Sequence, residues 1–433
     1  MIINLFDGVE HTFQQDPAIV SGLQAFLDQV WRNRPLFIEE EDRRTSSQPF
    51  LTFGNGMIKA RNYVGFIQYN DLHINIYPRV FHNADSFTPG LAIRHVLKWL
   101  SYSSRIHFPL SEADLGPATL DDWLESFIFL FARLTKNLVN TNPHFAYEEI
   151  MEELSFVRGR IAMGEYTRQN LATSRWHKIH CIHNPFIYDN LFNRVIKYTA
   201  RLLLNHTRDK RNIELLSDIL FTLDEVSDVP CTGMDCDKIQ VSRLYPDMDK
   251  VRELCRIFLH HQHIQLPEGL SVNLCMLLPM ELIFEQYIAG FLESHFPEYR
   301  SRSQAADKYL AETKDLRAAP VFLMKHDILL PGRWVIDTKY KFRIQDDSDK
   351  FGIHQGDMYQ MLAYCLKRNM QKGMLLYPAH SSIDAVNNIQ SYKIDADAFS
   401  AAIHAVSIDI TETDLHKFDQ LQKEKFIQVM KIE

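Results

Sequence analysis

A turn signal between two strand-like segments is the feature that most limits how this chain can fold. Pro331-Gly332 separates MKHDILL from RWVIDTKYK, and this pattern predicts two antiparallel strands joined by a tight turn. If the loop has an odd number of residues, for example Pro331 to Arg333, Asp327 and Asp337 become cross-strand neighbours, with Cβ atoms roughly 5 Å apart. An even loop without a bulge would separate the two carboxylates.

In the odd register, alternation of side chains places Lys339 on the same face as both carboxylates. The opposite face is then mostly apolar and holds Ile328, Leu330, Trp334, Ile336, Thr338 and Tyr340. Two close carboxylates repel unless a cation lies between them, so the pair favours Mg²⁺ or Mn²⁺. Lys339 is suited to hold a phosphate or to stabilise charge at an attacking or leaving oxygen. A solvated strand face with an ordinary Asp and Lys pair is the alternative.

The segment downstream of this hairpin predicts a helix followed by a strand. Asp357, Gln360 and Tyr364 are spaced so that they lie on one helical face. Polar side chains in that arrangement can reach a phosphate or a base beside a metal. The apolar run at 373–378 is bounded by breakers and is typical of a core strand.

A second helix is predicted upstream, over PMELIFEQYIAGFLESHF, with Pro279 in its first turn. Glu285 of this helix shares a stripe with Leu282 and Ala289. A buried carboxylate needs a partner, and a metal ion is one such partner. The alternative for Glu285 is a boundary glutamate at the edge of the core.

The order of these elements resembles the core of PD-(D/E)xK nucleases. The elements are a helix with Glu285, a strand with Asp327, a strand with Asp337-Thr338-Lys339, a helix with Gln360 and Tyr364, and a final strand. The spacing of Gln360 and Tyr364 is similar to the QxxxY motif of RecB-type members. His326 stands where the superfamily motif has proline before the first aspartate, which is a departure from the pattern at Asp327.

Further segments of the chain resemble the McrC family, the nuclease subunits of McrBC modification-dependent restriction systems. They are GMIKARNYVGFIQYNDLHINIYPRV, LSFVRGRIAMGEY, NPFIYDNLFNRVIKYTARLLL, LPMELIFEQYI and DTKYK. The resemblance implies a metal-dependent endonuclease that cuts double-stranded modified DNA and works with a McrB-like AAA+ GTPase. That partner forms hexameric rings, recognises the modified DNA and binds the N-terminal part of the McrC chain.

The resemblance also implies roles for individual residues. Asp327, Asp337 and Glu285 are the expected Mg²⁺ or Mn²⁺ ligands, and together with Lys339 they form the expected catalytic set. Gln360 and Tyr364 are expected to position DNA.

The chain predicts a multidomain α+β or α/β protein in three stretches. These are a β-rich docking domain at 1–115, a helical middle region at 116–265 and a PD-(D/E)xK endonuclease domain, a mixed sheet flanked by helices, at 266–433. Helices are expected from Pro17 to Arg32 and in three runs of the middle region, LDDWLESFIFLFARLTKNLV, DNLFNRVIKYTARLLLNHT and around MDKVRELCRIFLHH. A loop is expected at 227–237, and Asn70-Asp71 is a plausible hairpin turn.

Composition narrows the function further. The net charge of −8 argues against binding of DNA by the whole surface. A local basic patch around Arg333, Lys339, Lys341 and Arg343 or a partner would then supply the affinity. The six cysteines include no Cys-x-x-Cys pair, which suits reduced thiols in the cytoplasm. The histidine-rich runs at 177–183 and 260–263 lack four zinc ligands at a recognised spacing.

The chain also lacks the sequence signals of nucleotide binding and of membrane insertion. No phosphate-binding loop motif occurs, so nucleotide hydrolysis is expected from another chain. No stretch of eighteen apolar residues and no signal sequence occur, so no membrane partner is expected. Two alternatives to the endonuclease remain, a catalytically silent activator of the AAA+ partner and a RecB-like exonuclease or repair nuclease.

Overall fold

A computed structural model describes most of the chain in two compact units. The described residues are 1–32, 48–82, 84–85, 87–105, 122–241, 245–260, 262–264, 272–314, 319–343, 350–379, 389–396 and 399–431. The first unit combines Met1–Trp123 with His263–Glu433, and the second is Leu124–Gln262. No helix in the described ranges is long and apolar enough to cross a membrane.

The N-terminal stretch contains short strands and two helices. Its elements are β1 (Ile2–Phe6), β2 (Glu10–Thr12), α1 (Pro17–Arg32), β3 (Leu51–Gly54), β4 (Met57–Ala60), β5 (Tyr63–Tyr69), β6 (Leu72–Tyr77), a 3-10 turn (Arg79–Phe81) and α2 (Pro89–Leu100). The predicted helix from Pro17 to Arg32 is confirmed. The Asn70-Asp71 turn is also confirmed, since Tyr69 pairs with Leu72 and Asn70 adopts a φ of 50°.

The middle stretch is helical but also contains small sheets. Its elements are α3 (Trp123–Thr141), β7 (Ala146–Tyr147), β8 (Ile150–Leu154), β9 (Arg160–Ile161), β10 (Ile179–His183), β11 (Phe186–Ile187), α4 (Leu191–Leu204), α5 (Lys210–Thr222), α6 (Gly233–Asp237) and α7 (Pro246–His260). The three predicted helices are confirmed. The sheets β8-β10-β9 and β11-β7 were not predicted. The predicted loop at 227–237 contains α6, whose capping box joins Thr232 and Asp235.

The C-terminal stretch carries the largest sheet. Its elements are β12 (Gln262–Ile264), β13 (Val272–Pro279), α8 (Met280–His295), β14 (Arg302–Glu312), β15 (Pro320–Leu330), β16 (Trp334–Thr338), α9 (Gln355–Arg368), β17 (Lys372–Pro378), β18 (Ile389–Ala396), β19 (Phe399–Ile408) and α10 (Phe418–Met430). The predicted helices over α8 and α9 and the strand at 373–378 are confirmed. Pro279 caps α8 and does not lie in its first turn.

Two sheets form the framework of the first unit. One has the order β1-β6-β5-β13-β12, and the other has the order β14-β15-β16-β17-β19-β18. In the larger sheet β15 and β16 are antiparallel, whereas β17 runs parallel to both β16 and β19. Helix α9 packs on its central strands, where Met361 and Cys365 contact a buried apolar cluster that includes Val335 and Leu375.

The division into units differs from the predicted three consecutive domains. Strand β13 pairs antiparallel with β5, from Leu274 opposite Gln68 to Pro279 opposite Tyr63. The stretches 1–115 and 266–433, predicted as separate domains, therefore share one compact unit. The physical reason is a strand ladder between segments about two hundred residues apart, which local sequence patterns do not reveal.

Candidate active site

The β15–β16 hairpin brings the two predicted aspartates together. Leu330 pairs with Trp334 across a three-residue turn, in which Gly332 adopts a φ of 72° that favours glycine. Continuing this antiparallel register places Asp327 opposite Asp337. The predicted odd loop, on which the whole arrangement depended, is therefore confirmed.

The face opposite the carboxylates is apolar as predicted, except at its end. Ile328, Leu330, Trp334, Ile336 and Tyr340 are all buried. Thr338 was assigned to this face, but its backbone N–H and hydroxyl both donate to Asp327 Oδ2, at 2.7 and 2.8 Å. Thr338 is the last residue of β16, beyond the final pair of the ladder with β15, so its N–H is available to a side-chain acceptor.

Asp337 is a buried carboxylate with a lysine as its counter-charge. Only 2% of the residue is exposed, and Lys339 Nζ lies 2.6 Å from its Oδ2. Burial raises the pKa of Asp337 to about 7, the Asp327 charge adds to the increase, and Lys339 opposes it. Burial acts to lower the pKa of Lys339, but the charges of Asp337, Asp357 and Asp327 outweigh that effect and raise it.

Helix α9 presents its predicted polar face to this ion pair. Lys339 Nζ donates to Gln360 Oε1 at 3.1 Å, and Gln360 Nε2 contacts the Tyr364 hydroxyl at 2.6 Å. That hydroxyl donates to the backbone carbonyl of Lys325 on β15 at 2.8 Å. The Gln360 and Tyr364 side chains thus connect the candidate catalytic lysine to the strand that carries Asp327.

Glu285 on α8 is electrostatically linked to the same site. Its Oε1 accepts a hydrogen bond from Gln304 Nε2, and Arg105 Nη1 lies 3.9 Å away. Burial raises the pKa of Glu285 to about 7, with a further contribution from the Asp327 charge. Glu281, an acidic residue in the first turn of the same helix, instead accepts a hydrogen bond from Asn62 at 2.7 Å.

The side chains of this site have the right donor atoms for a divalent cation, but they are not grouped closely enough to hold one together. Within the described ranges, no three His, Cys, Asp or Glu side chains are grouped closely enough to hold a metal ion. Each carboxylate has a separate partner, since Glu285 contacts Gln304, Asp327 contacts Thr338 and Asp337 contacts Lys339. The donors are nevertheless carboxylate oxygens, which Mg²⁺ and Mn²⁺ prefer. Asp337 Oδ2 is also buried, and in the described part of the chain it has no hydrogen-bond partner of standard geometry.

Several contributors to the site had no usable sequence signal. Gln304 and Arg105 lie outside any motif, and only their contacts with Glu285 identify them. Asp357 was predicted on the polar face of α9, within reach of a phosphate or a base, but not among the catalytic or DNA-positioning residues. Its carboxylate lies 3.7 Å from Lys339 Nζ and 3.4 Å from Lys341 Nζ.

The predicted basic patch is only partly present. Arg343 is buried, and its guanidinium donates to Ser407 Oγ and to the Ala405 carbonyl. It is therefore a structural residue, because its position after β16 turns it onto β19. Arg333 stacks over the Tyr299 ring at 4.9 Å.

The histidine-rich run at 177–183 is held by polar partners other than a metal. His180 Nδ1 lies 2.5 Å from Asn170 Oδ1, and His183 Nε2 lies 3.3 Å from Glu152 Oε2. All six cysteines are free and buried, as expected for reduced thiols. The side chains of the run at 260–263 lie outside the described residues.

Two similar solved structures come from Thermococcus gammatolerans. The first is a half-complex from a tetradecameric assembly of Thermococcus gammatolerans McrB AAA+ hexamers with bound McrC. One chain of that structure aligns with this chain with a TM-score of 0.74 and 17% identity. The alignment covers 99% of this chain and 100% of that chain. A chain of the Thermococcus gammatolerans McrBC complex aligns with a TM-score of 0.51 and 21% identity, over 70% of this chain and 90% of that chain. At these identities the likeness shows a shared fold.

The family assignment rests on the sequence match. A search of curated proteins gives no match. The family model described as McrBC 5-methylcytosine restriction system component matches residues 58–378, which is well over half of the chain and includes the β15–β16 hairpin and α9. The chain therefore belongs to the family of McrBC 5-methylcytosine restriction system components.

Proposed function

We propose that this protein is the metal-dependent endonuclease subunit of a McrBC-like restriction complex. In this proposal it cuts double-stranded modified DNA when it is assembled with a McrB-like AAA+ GTPase hexamer. Support for this partner comes from one similar Thermococcus gammatolerans structure, which contains McrB AAA+ hexamers with bound McrC. The nuclease core is proposed to be of the PD-(D/E)xK type.

The observation that carries the proposal is the Asp337–Lys339 pair on the central strand of the large sheet. A buried aspartate with a pKa raised to about 7, next to a second aspartate and a lysine, is an unfavourable arrangement for stability alone. Such clusters occur where charge is needed for chemistry. The intact set with Gln360 and Tyr364 also favours an active enzyme, because a silent adaptor would be expected to lose at least one of these side chains.

Each residue has a role that follows from its contacts. Asp327, Asp337 and Glu285 would hold Mg²⁺ or Mn²⁺, which when bound activates a water molecule and neutralises charge on the scissile phosphate. Lys339 Nζ is already desolvated and positively charged, so it can bind a phosphate oxygen and stabilise the charge that develops there. Gln360 fixes the lysine through its Oε1, and Tyr364 fixes Gln360.

The proposed AAA+ partner requires a docking surface, which was expected in 1–115; exposed apolar side chains outside that stretch support a further one. Strands β8 and β9 and the turns that follow them expose large apolar side chains, namely Met151, Phe156, Val157, Met163 and Trp176. We call these five residues the exposed apolar surface. Apolar groups grouped in this way are typical of protein–protein interfaces. Much of the 1–115 stretch, by contrast, contributes to a buried core that includes Leu5, Leu27 and Ile74.

The test uses the purified chain with its AAA+ partner, GTP and Mg²⁺ on a closed circular modified DNA. The wild-type complex is expected to convert circular DNA to linear DNA. Asp337→Ala is expected to abolish cutting, while the variant chain still stimulates GTP hydrolysis by the AAA+ partner. Normal cutting by Asp337→Ala would show that the site is wrong.

The other candidate functions give different results in the same assay. An exonuclease would leave the circle intact but degrade the same DNA after linearisation, because it needs an end. A silent activator would stimulate GTP hydrolysis and would leave both substrates intact, with wild-type chain as well as with Asp337→Ala.

A further inference from the structure

A buried carboxylate from the first strand of the chain lies against the segment that carries Lys339. Asp7 directly follows β1 and is 1% exposed. Its Oδ1 accepts hydrogen bonds from the backbone N–H of Arg79 and, over a long 3.4 Å, from the Tyr340 hydroxyl. Tyr340 is the residue that immediately follows Lys339, although Asp7 and Tyr340 are 333 positions apart.

Other contacts connect the same two segments. The Arg79 guanidinium lies over the Phe342 ring at 4.9 Å from its centroid. The Tyr340 ring packs against Phe284, at 5.9 Å between centroids, and Phe284 is the neighbour of Glu285 on α8. We call Asp7, Arg79, Tyr340 and Phe342 the Asp7 cluster. It therefore contacts the chain directly beside two of the candidate catalytic residues.

The backbone between Lys339 and Phe342 has little regular support. Strand β16 ends at Thr338, and after it the Lys339 N–H donates to the Leu376 carbonyl at 2.8 Å. The next backbone contact is a tight one, from the Lys341 N–H to the Lys339 carbonyl at 2.7 Å. Because the ladder has ended, the direction of the Lys339 side chain depends on what holds the following residues.

Burial of the Asp7 carboxylate lowers the stability of the folded chain, which a purely structural role does not explain. Burial raises its pKa to about 7 against the opposing effect of Arg79, so the site disfavours the charge. An apolar residue of similar size would pack without that desolvation cost. What the carboxylate provides is a directional acceptor, which an apolar residue could not offer to the Tyr340 hydroxyl.

We infer that Asp7 is a positioning residue for Lys339, acting through the Tyr340 hydroxyl, so that the N-terminal strand determines the geometry of the candidate active site. The role of Lys339 in this inference rests on the proposed function. The contacts among Asp7, Tyr340 and Arg79 do not depend on it.

The decisive variant is Tyr340→Phe, which removes one hydroxyl and keeps the ring. We expect kcat for DNA cutting by the complete complex to fall about tenfold, because a lysine that is free to rotate spends less time in the productive position. KM for DNA, partner-stimulated GTP hydrolysis and the Tm of the chain should stay unchanged. Asp7→Ala should have the same effect as Tyr340→Phe, and the double variant should be no worse than either single variant.

Two matched controls separate positioning from stability. Asp7→Asn retains Oδ1, the oxygen that accepts both hydrogen bonds, and should cut within about twofold of wild type. Tyr377→Phe removes a buried hydroxyl on β17 that has no hydrogen-bond partner among the described residues, and should change nothing. The inference is overturned if Tyr340→Phe retains the wild-type kcat, or if it lowers Tm, GTP hydrolysis and cutting in the same proportion.

A second measurement needs no DNA cutting. Reductive methylation of the isolated chain, followed by mass spectrometry, gives the labelling rate of Lys339 relative to the more exposed Lys341. Tyr340→Phe and Asp7→Ala should increase that ratio by about threefold or more, whereas Asp7→Asn should not. An unchanged ratio in all variants overturns the inference. If the wild-type complex fails to cut while the ratio shifts as expected, the proposed function fails and the positioning role stands.

Discussion

The large sheet of the first unit and the small β8-β10-β9 sheet of the second distribute their side chains in opposite ways. At the large sheet, Asp337 of β16 and Asp357 of the packed helix α9 are buried, and Lys339 Nζ lies 2.6 Å from the first carboxylate and 3.7 Å from the second. In the small sheet and the turns beside it, Phe156 is 62% exposed and Trp176 is 69% exposed. Both arrangements are costly for an isolated chain, since burial penalises charge and water penalises apolar surface. Buried charges are typical of a catalytic site, whereas exposed apolar side chains are typical of a partner-binding surface.

The largest effect should come from removing the buried positive charge. Lys339→Met should lower the rate of cutting by about 10²- to 10³-fold, as for other losses of a charge-stabilising group. It should also destabilise the metal-free chain, because Asp337 then lacks its counter-charge, and Mg²⁺ should restore part of the lost Tm. Cutting kinetics and calorimetry with and without Mg²⁺ measure both effects.

Lys341→Met is the matched control for that change. Lys341 is two residues away and its side chain is 56% exposed, so cutting and Tm should change little. If both variants lost activity equally, buried charge would not be the property that distinguishes the large sheet.

A smaller effect is expected from the exposed apolar surface. Trp176→Ala should weaken binding to the AAA+ partner by about 30-fold, as for a buried aromatic at an interface, and should leave the Tm of the isolated chain nearly unchanged. Binding is measured by titration of the partner. Phe221→Ala, which changes an even more exposed aromatic on α5, serves as control and should bind normally. Equal losses in both would argue against a localised surface.

A pH series tests the charged site of the large sheet without involving the exposed apolar surface. The pKa values of Glu285 and Asp337 are raised to about 7 in the metal-free chain. Protons therefore compete with metal below that pH, and the affinity for Mg²⁺ should rise by about tenfold per unit for each proton displaced, between pH 6 and 7, and level off near pH 8. Titration calorimetry in buffers of different ionisation enthalpy counts the protons.

Whereas the affinity for Mg²⁺ should rise with pH, the stability of the metal-free chain should fall. A folded-state pKa above the unfolded value means that the folded chain binds more protons, so its free energy of unfolding falls as pH rises towards about 7. Asp7 contributes to this trend as well. Asp7→Asn should therefore reduce the pH dependence of stability without altering that of Mg²⁺ affinity, and an altered affinity would contradict the assignment of the metal ligands.

The smallest effect should follow from Tyr364→Phe. The lost hydroxyl contacts Gln360 Nε2 and the Lys325 carbonyl. Only the contact with Gln360 supports the lysine directly, and one such hydrogen bond is worth about 1 kcal/mol, so cutting should slow by less than about tenfold while DNA affinity declines slightly. A loss as large as that of Lys339→Met would mean that Tyr364 acts directly in the reaction.

The sequence allowed prediction of those parts of the site that depend on local periodicity. The Pro331-Gly332 turn and strand alternation were sufficient to place Asp327 opposite Asp337, and helical spacing was sufficient for Gln360 and Tyr364. Contacts that depend on side chains from distant segments could not be predicted. Gln304 beside Glu285 and Asp7 beside Tyr340 belong to this group, because no periodic pattern links them.

The same limit explains the errors in the fold. The β5–β13 ladder joins a strand of the expected 1–115 domain to a strand of the expected 266–433 domain, so the shared compact unit was not predicted. Thr338 and Arg343 were misassigned for a related reason. Thr338 is the last residue of β16 and Arg343 lies five residues beyond it, and past a strand end alternation no longer determines where a side chain points.

The β5–β13 ladder also has a consequence for the order of synthesis. The ribosome completes 1–123 early, but the β1-β6-β5-β13-β12 sheet stays incomplete until Leu274 to Pro279 have emerged. The second unit, Leu124–Gln262, is continuous in sequence and can fold before that point. During translation strand β5 must therefore wait with one edge unpaired, because β6 already lies between β1 and β5. Slow passage through 124–262 prolongs the period in which that edge is open to aggregation.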